Sequence, residues 1–312
     1  MSLIFLLLLS VLCINTHAHE VIFQYETKPI KWYRNKIRYQ ESKAGGSPLT
    51  NLYATNSVLH KYDQAFGTNS VTVEKEFYHY PFDKNFSPYW WFGLGDGLSV
   101  ASILFDAPKH SVRKNGVEFC INDIKALLAL VASSSLKNMS CSESINFFIN
   151  KKIMLGERIG TGNEDKFLNP LNIYQLLSKN EEFLSNNLPL IINVGFAFKT
   201  NADYDSLVIQ RPFDKFTFSL IEKNLAGQKS RFLLHIQSSL YSHYNQRIEF
   251  WADHYQLEEA SQSGWTSSGP DFAWWFKGQM PSEDKWHGAL NRNSSLRLEN
   301  IFMLYKRSLK RL

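Results

Sequence analysis

"YWWFGLGDGLSVASIL", residues 89–104, changes character half-way along. Aromatic residues open it, and glycines follow at alternate positions, Gly93, Gly95 and Gly97. Glycine lets a backbone turn sharply or approach a neighbour closely. The remainder, Leu98 to Leu104, is small and apolar, which suits a tightly packed helix. The spacing predicts a tight turn that feeds the start of a buried helix.

On the N-terminal side, residues 76–91 are rich in aromatics, with Pro81 and Pro88 as breaks. Before them, residues 47–66 repeat Leu49, Leu52, Tyr53, Val58, Leu59 and Tyr62 at helical steps. On the C-terminal side, Asn115-Gly116 between two short runs signals a hairpin. A helix should follow, with Asn122 as its cap and Ile124, Leu127, Leu128 and Val131 on its buried face. Another is expected from Pro170 to Asn186, with Asn169 as cap and Pro170 at its first position. From Leu188 the period becomes alternating. "LPLIINVGFAF", "SLVIQRPFDKFTFSLI", "RFLLHIQSSLY" and "RIEFWADHYQLEE" read as an antiparallel meander. A last helix is expected from about Arg297 to Lys310. Helices first and sheet second is an α+β arrangement.

The 312 residues are 44% hydrophobic and 14% aromatic, which excludes disorder and allows a large core. The net charge of +5 is mild, and Lys306, Arg307, Lys310 and Arg311 hold nearly all of the excess. That distribution gives no nucleic-acid footprint. The apolar run from Leu3 to Ile14, followed by Asn15-Thr16-His17-Ala18, is too short to span a bilayer. It reads as a signal peptide, residues 1–18, cut after Ala18. The competing readings are an N-terminal anchor and a buried strand. Export implies a secreted or periplasmic protein with no stable membrane insertion once the signal has gone. Residues 19–58 are then an N-terminal extension, ahead of a domain over 59–312. Cys13 leaves with the signal, so Cys120 and Cys141 remain. They form either a candidate disulfide, closing a loop of about 21 residues and worth roughly 3 kcal/mol, or two buried thiols.

Four stretches, in order, resemble the transglutaminase elicitor family, secreted calcium-dependent transglutaminases of oomycetes with bacterial relatives. "WWFGLGDGLSVASIL" resembles the family's Trp-x-Gly-His-Cys-Asn-Gly-Trp and the alanine-rich helix after it. "NGVEFCINDIKALLAL" is similar to a Gly-Val-x-Phe…Asp-Leu-Lys-Ala-Leu segment, the most specific match. "VIQRPFDKFTF" falls where the family has Val-Trp-Asn-Gln-Pro and an alternating strand. "YQLEEASQSGWTSSGPDFAWW" looks like its Tyr-x-Leu-Glu strand, Gly-x-Trp turn and Pro-Asp-Phe-x-Trp ending. Together they span about Leu59 to Trp275, roughly two-thirds of the chain. The resemblance implies a papain-like transglutaminase fold, a protein substrate or partner, and calcium as a candidate cofactor.

The departures concern the chemistry. The family's nucleophilic cysteine falls on Gly95 and its next asparagine on Asp96. The segment that carries the family's general-base histidine resembles "NPLNIY", which puts Tyr174 at that position. The Asn of Val-Trp-Asn-Gln-Pro falls on Gln210. Transglutamination needs a thiolate, activated by a base and a helix N-terminus, to form a thioester. Glycine has no side chain, and a tyrosine with a pKa of about 10 is a poor base at neutral pH. No catalytic position of the family is therefore intact. The expectation is a degenerate transglutaminase that binds a protein partner through a cleft with Trp90, Trp91, Tyr174 and Trp265. The alternatives are an active acyltransferase or cysteine peptidase that uses Cys120 or Cys141, and a structural surface protein.

Other clusters point less strongly. The spacing in Gly93-x-Gly95-x-Gly97 is not that of a dinucleotide fingerprint. His235, His243 and His254 match no zinc spacing. Asp203, Asp205 and Asp253 have no EF-hand loop around them, so the metal state stays open. Trp274 and Trp275 read as core residues rather than as an exposed carbohydrate platform.

Overall fold

The computed structural model describes residues 19–32, 52–53, 55–77, 94–137, 151–156, 168–193, 210–223, 229–240, 245–266, 269–270, 272–277, 283–290 and 292–310. The chain opens with a strand, β1 (Glu20–Glu26), and then turns helical. Ser57 caps α1 (Val58–Phe66), and Gly67 ends it at φ 67°. The helix is shorter than the 47–66 periodicity predicts. Leu52 is buried ahead of the cap, and its carbonyl accepts the Ser57 hydroxyl at 2.6 Å. Asp63 then fixes the next helix, α2 (Ser70–Phe77), by accepting the Ser70 and Val71 amides.

The helix expected after the alternate glycines is α3 (Gly95–Leu104), buried from Gly97 onward. Gly95 and Gly97 lie inside its first turn rather than in a turn before it. The Asn115-Gly116 hairpin joins β2 (Val112–Lys114) to β3 (Val117–Phe119), with both turn residues at positive φ, 48° and 80°. That is the geometry that matches the twist of two paired strands. Helix α4 (Ile121–Lys137) is capped at Cys120, not Asn122. Asp123 decides this by reaching back to the Cys120 amide at 2.9 Å, while Lys61 pairs with the same carboxylate at 2.6 Å.

After β4 (Lys151–Gly156), α5 (Pro170–Lys179) opens as expected, with Asn169 as cap and Pro170 in its first turn. The predicted single helix to Asn186 is divided, because Asn180 accepts the Phe183 amide and caps a separate α6 (Glu181–Asn186). Next come β5 (Leu190–Asn193), β6 (Gln210–Phe213) and β7 (Lys215–Glu222). The run "SLVIQRPFDKFTFSLI" thus supplies two strands. Asp214 separates them. It is 1% exposed, and its carboxylate takes the Ser239 amide at 2.8 Å, the Ser239 hydroxyl and the Ile30 amide. The chain continues through β8 (Ser230–Gln237), β9 (Gln246–Ala252), β10 (Ser263–Trp265) and β11 (Phe272–Lys277). A hairpin of β12 (Ala289–Leu290) and β13 (Asn293–Arg297) leads to the final helix, α7 (Leu298–Leu309).

The expected meander is divided between two sheets. One has the order β1-β7-β8-β9-β10 and the other β4-β11-β5-β6, each antiparallel throughout. Residues 20–26, within the stretch set apart as an extension, form the edge of the first sheet. Pro212 sits on β6 at the edge of the second, where its missing N–H is tolerated. The second sheet is buried on both faces. Ile191, Trp274 and Phe276 join α1, α3, α4 and α7 in one core. Leu190, Ile192, Ala273 and Trp275 join α5, α6 and the first sheet in another. Strand periodicity of two sends the adjacent Trp274 and Trp275 to opposite sides. Both are fully buried, which makes them core residues.

The two indoles differ in one respect. Trp274 Nε1 donates to Gln210 Oε1 at 2.6 Å, whereas Trp275 Nε1 is buried with no partner among the described residues. Leaving a buried group unsatisfied costs about 1–3 kcal/mol. Trp275→Phe removes such a donor, while Trp274→Phe strands the Gln210 oxygen. In urea unfolding, Trp275→Phe should therefore be the milder change by about 1 kcal/mol or more. Equal losses would show that packing volume alone sets both.

Candidate functional site

The head of α3 is built from backbone and small side chains. Leu94 stands at the capping position without a side-chain cap, and Asp96 puts a negative charge in the first turn. Its Oδ1 accepts the Gly97 amide at 2.7 Å, which suits the positive end of a helix. Ser99, 2% exposed, shares its hydroxyl between Gly95 O at 2.9 Å and Gln210 O at 3.2 Å. This ties α3 to β6. Trp274 then fixes the Gln210 side chain from β11. Gly95, Asp96 and Gln210 are thereby brought together. Ser99 and Trp274, which do the joining, were not foreseen as part of a site. Ser99 carries one local signal, since a serine four residues after a carbonyl can back-bond to it.

The two glycines of this turn have different surroundings. A Cβ on Gly97 would stand 2.2 Å from Ala129 O and 2.8 Å from Ser133 Cβ. Only glycine lets α3 cross α4 that closely. A Cβ on Gly95 would meet nothing within 4 Å among the described residues, and its φ lies outside the left-handed region. Neither space nor backbone requires glycine there.

Tyr174 lies in the other core. Its ring packs against Phe23 at 5.3 Å and Phe218 at 5.5 Å, and its hydroxyl donates to Glu258. Burial, reinforced by the Glu258 carboxylate, pushes the phenol above its ordinary value. Glu258 moves the opposite way, chiefly because the phenol hydrogen-bonds it. Tyr174 thus belongs to the second core, whereas α3 belongs to the helical one. Trp265 also faces that second core, and its Nε1 donates to Leu168 O at 2.7 Å beside the start of α5. Trp90 and Trp91 lie outside the described residues.

Cys120 is half-buried and forms no disulfide among the described residues. Burial pushes its thiol above the ordinary value, and the Asp123 charge adds to the shift. It stands nine residues before Ala129, the point where α3 crosses α4. At 1.5 Å per residue that is about 14 Å along the helix axis. Cys141, and with it the candidate disulfide, lies outside the described residues, as do Asp203, Asp205 and His243. Asp253 accepts the Ser261 amide at 3.0 Å and the Ser261 hydroxyl, which closes the loop after β9. His254 pairs with Glu259 at 3.1 Å, and His235 is on β8. Among the described residues no three His, Cys, Asp or Glu side chains gather as a metal site. No helix among them is long and apolar enough to cross a membrane.

No protein-family model and no curated protein matches the chain. Among solved structures, it is similar to the GP42 transglutaminase from Phytophthora sojae. The two are 17% identical over 92% of each chain, with a TM-score of 0.55. The fold is transglutaminase-like. The resemblance read from scattered motifs thus extends to the architecture, helices followed by antiparallel sheets. Within this transglutaminase-like fold, Gly95 is the first residue of the buried helix α3.

Proposed function

We propose that the protein is an exported, transglutaminase-like protein that has lost acyl-transfer chemistry and acts by binding a protein partner. The observation that carries this reading is Gly95. It occupies the first position of a buried helix, and among the described residues nothing stands within 4 Å of where its side chain would begin. A thioester intermediate needs a thiolate at that point, and glycine supplies none. The environment of Tyr174 agrees, because a phenol that already donates to Glu258 is a poor proton acceptor. Cys120 is a weak substitute, since its thiol is raised rather than lowered. Export rests on the apolar segment before Ala18, and calcium only on the resemblance.

The test is incorporation of a labelled primary amine into a glutamine-rich acceptor by the purified mature protein, with calcium and reductant. The expected rate equals that of buffer. Clear turnover abolished by Cys120→Ala or Cys141→Ala would replace this reading with that of an active enzyme using a displaced nucleophile.

A further inference from the structure

The end of α7 gathers more positive charge than its helix requires. Cations near a helix C-terminus ordinarily offset its exposed carbonyls. Here Ser308 O already accepts two amides, from Lys109 at 3.0 Å and His110 at 3.1 Å. That contact brings the Lys109 and His110 residues to the end that carries Arg307 and Lys310. Strand β2 packs alongside and adds Arg113. All five residues are exposed. The nearby acids are engaged, Asp106 with Lys31 at 3.0 Å and Glu118 with Arg113 at 3.8 Å. Lys306 is occupied by Glu283 and the Trp286 ring. Lys109, Arg307 and Lys310 have no ion-pair partner among the described residues.

We propose that this end of α7 is a peripheral docking surface for anionic phospholipid headgroups. A stable protein interface draws its affinity from a buried apolar or aromatic centre. The large exposed apolar side chains among the described residues are Val21, Ile22 and Leu240, on the first sheet and after β8. None of them belongs to α7, to β2 or to the segment of Lys109 and His110. Charge without such an anchor suits a plane of spread negative charge, where each Lys or Arg strengthens binding about five-fold. The contact is superficial and screened by salt within about 8 Å at physiological strength. It does not depend on whether the α3 site retains chemistry.

Sedimentation of the full mature chain with phospholipid vesicles tests the proposal. One set is phosphatidylcholine alone, and the other contains a third phosphatidylglycerol. The protein should pellet with the anionic set only, and raised salt should release it. The double variant Arg307→Glu/Lys310→Glu should bind at least about 25-fold more weakly. Both positions are exposed, so the variant should stay folded, with a melting temperature lowered only slightly by negative charge at the helix C-terminus. Failure to pellet with anionic vesicles, equal pelleting with neutral ones, or unchanged binding by the double variant overturns the proposal. Retention on immobilised polyglutamate without vesicle binding would overturn it in favour of an acidic protein partner.

Discussion

Glu74→Ala should cost about 3–5 kcal/mol of stability, read as a lowered urea midpoint with an unchanged slope. Glu74 is 0% exposed and pairs with Arg292, itself 1% exposed. Its other oxygen accepts Asn293 Nδ2 at 3.0 Å, and Arg292 also donates to Ser133 Oγ at 3.0 Å. The network joins α2, α4 and the β12–β13 hairpin inside the helical core. Removing the carboxylate strands a guanidinium where water cannot reach it. The double variant Glu74→Leu/Arg292→Met should recover most of the loss, since replacing a whole buried pair with apolar residues is often neutral or stabilising. A single-mutant loss under about 1 kcal/mol would mean that water enters and solvates Arg292.

The second large effect separates two neighbouring glycines. Gly97→Ala should destabilise by about 3 kcal/mol, at the upper end for overpacking. The added methyl would collide with the backbone carbonyl of Ala129, which cannot rotate aside as a side chain can. Gly95→Ala should instead stabilise, by about 0.4–1 kcal/mol, because alanine loses less backbone freedom and meets no obstacle among the described residues. Gly95→Cys should fold equally well and stay inactive, because a Tyr174 phenol that already donates to Glu258 leaves the new thiol without a base. If Gly97→Ala proves neutral, α3 and α4 are less closely crossed than the structure has them.

The parts that were legible in the sequence are those set by local chemistry. Asn115-Gly116 and Asn169-Pro170 determine their turn and helix start almost alone. Pro212 and Asp214 interrupt what looks like one alternating run, and this divides the meander between two sheets. Asp214 redirects the chain through Ser239, 25 residues on, and Ile30, 184 residues back, and no local pattern announces such partners. The same applies to Asn122, which lost the cap because Asp123 could engage both the Cys120 amide and Lys61. At the site, motif order indicated Gly95, Asp96 and Gln210. The hydroxyl that joins α3 to β6 spans 111 residues of sequence, and Tyr174 finds its carboxylate 84 residues away. Only folding brings such partners together.

The second sheet has a thermal consequence. Its middle strands belong to both cores at once, with Ile191, Trp274 and Phe276 on one side and Ile192, Ala273 and Trp275 on the other. A molecule with two cores on separate walls can melt in steps. Here the wall is shared, so loosening either core bares a face of the sheet that the other still needs. The two halves are bound to a common fate, and heat should meet them as one cooperative unit.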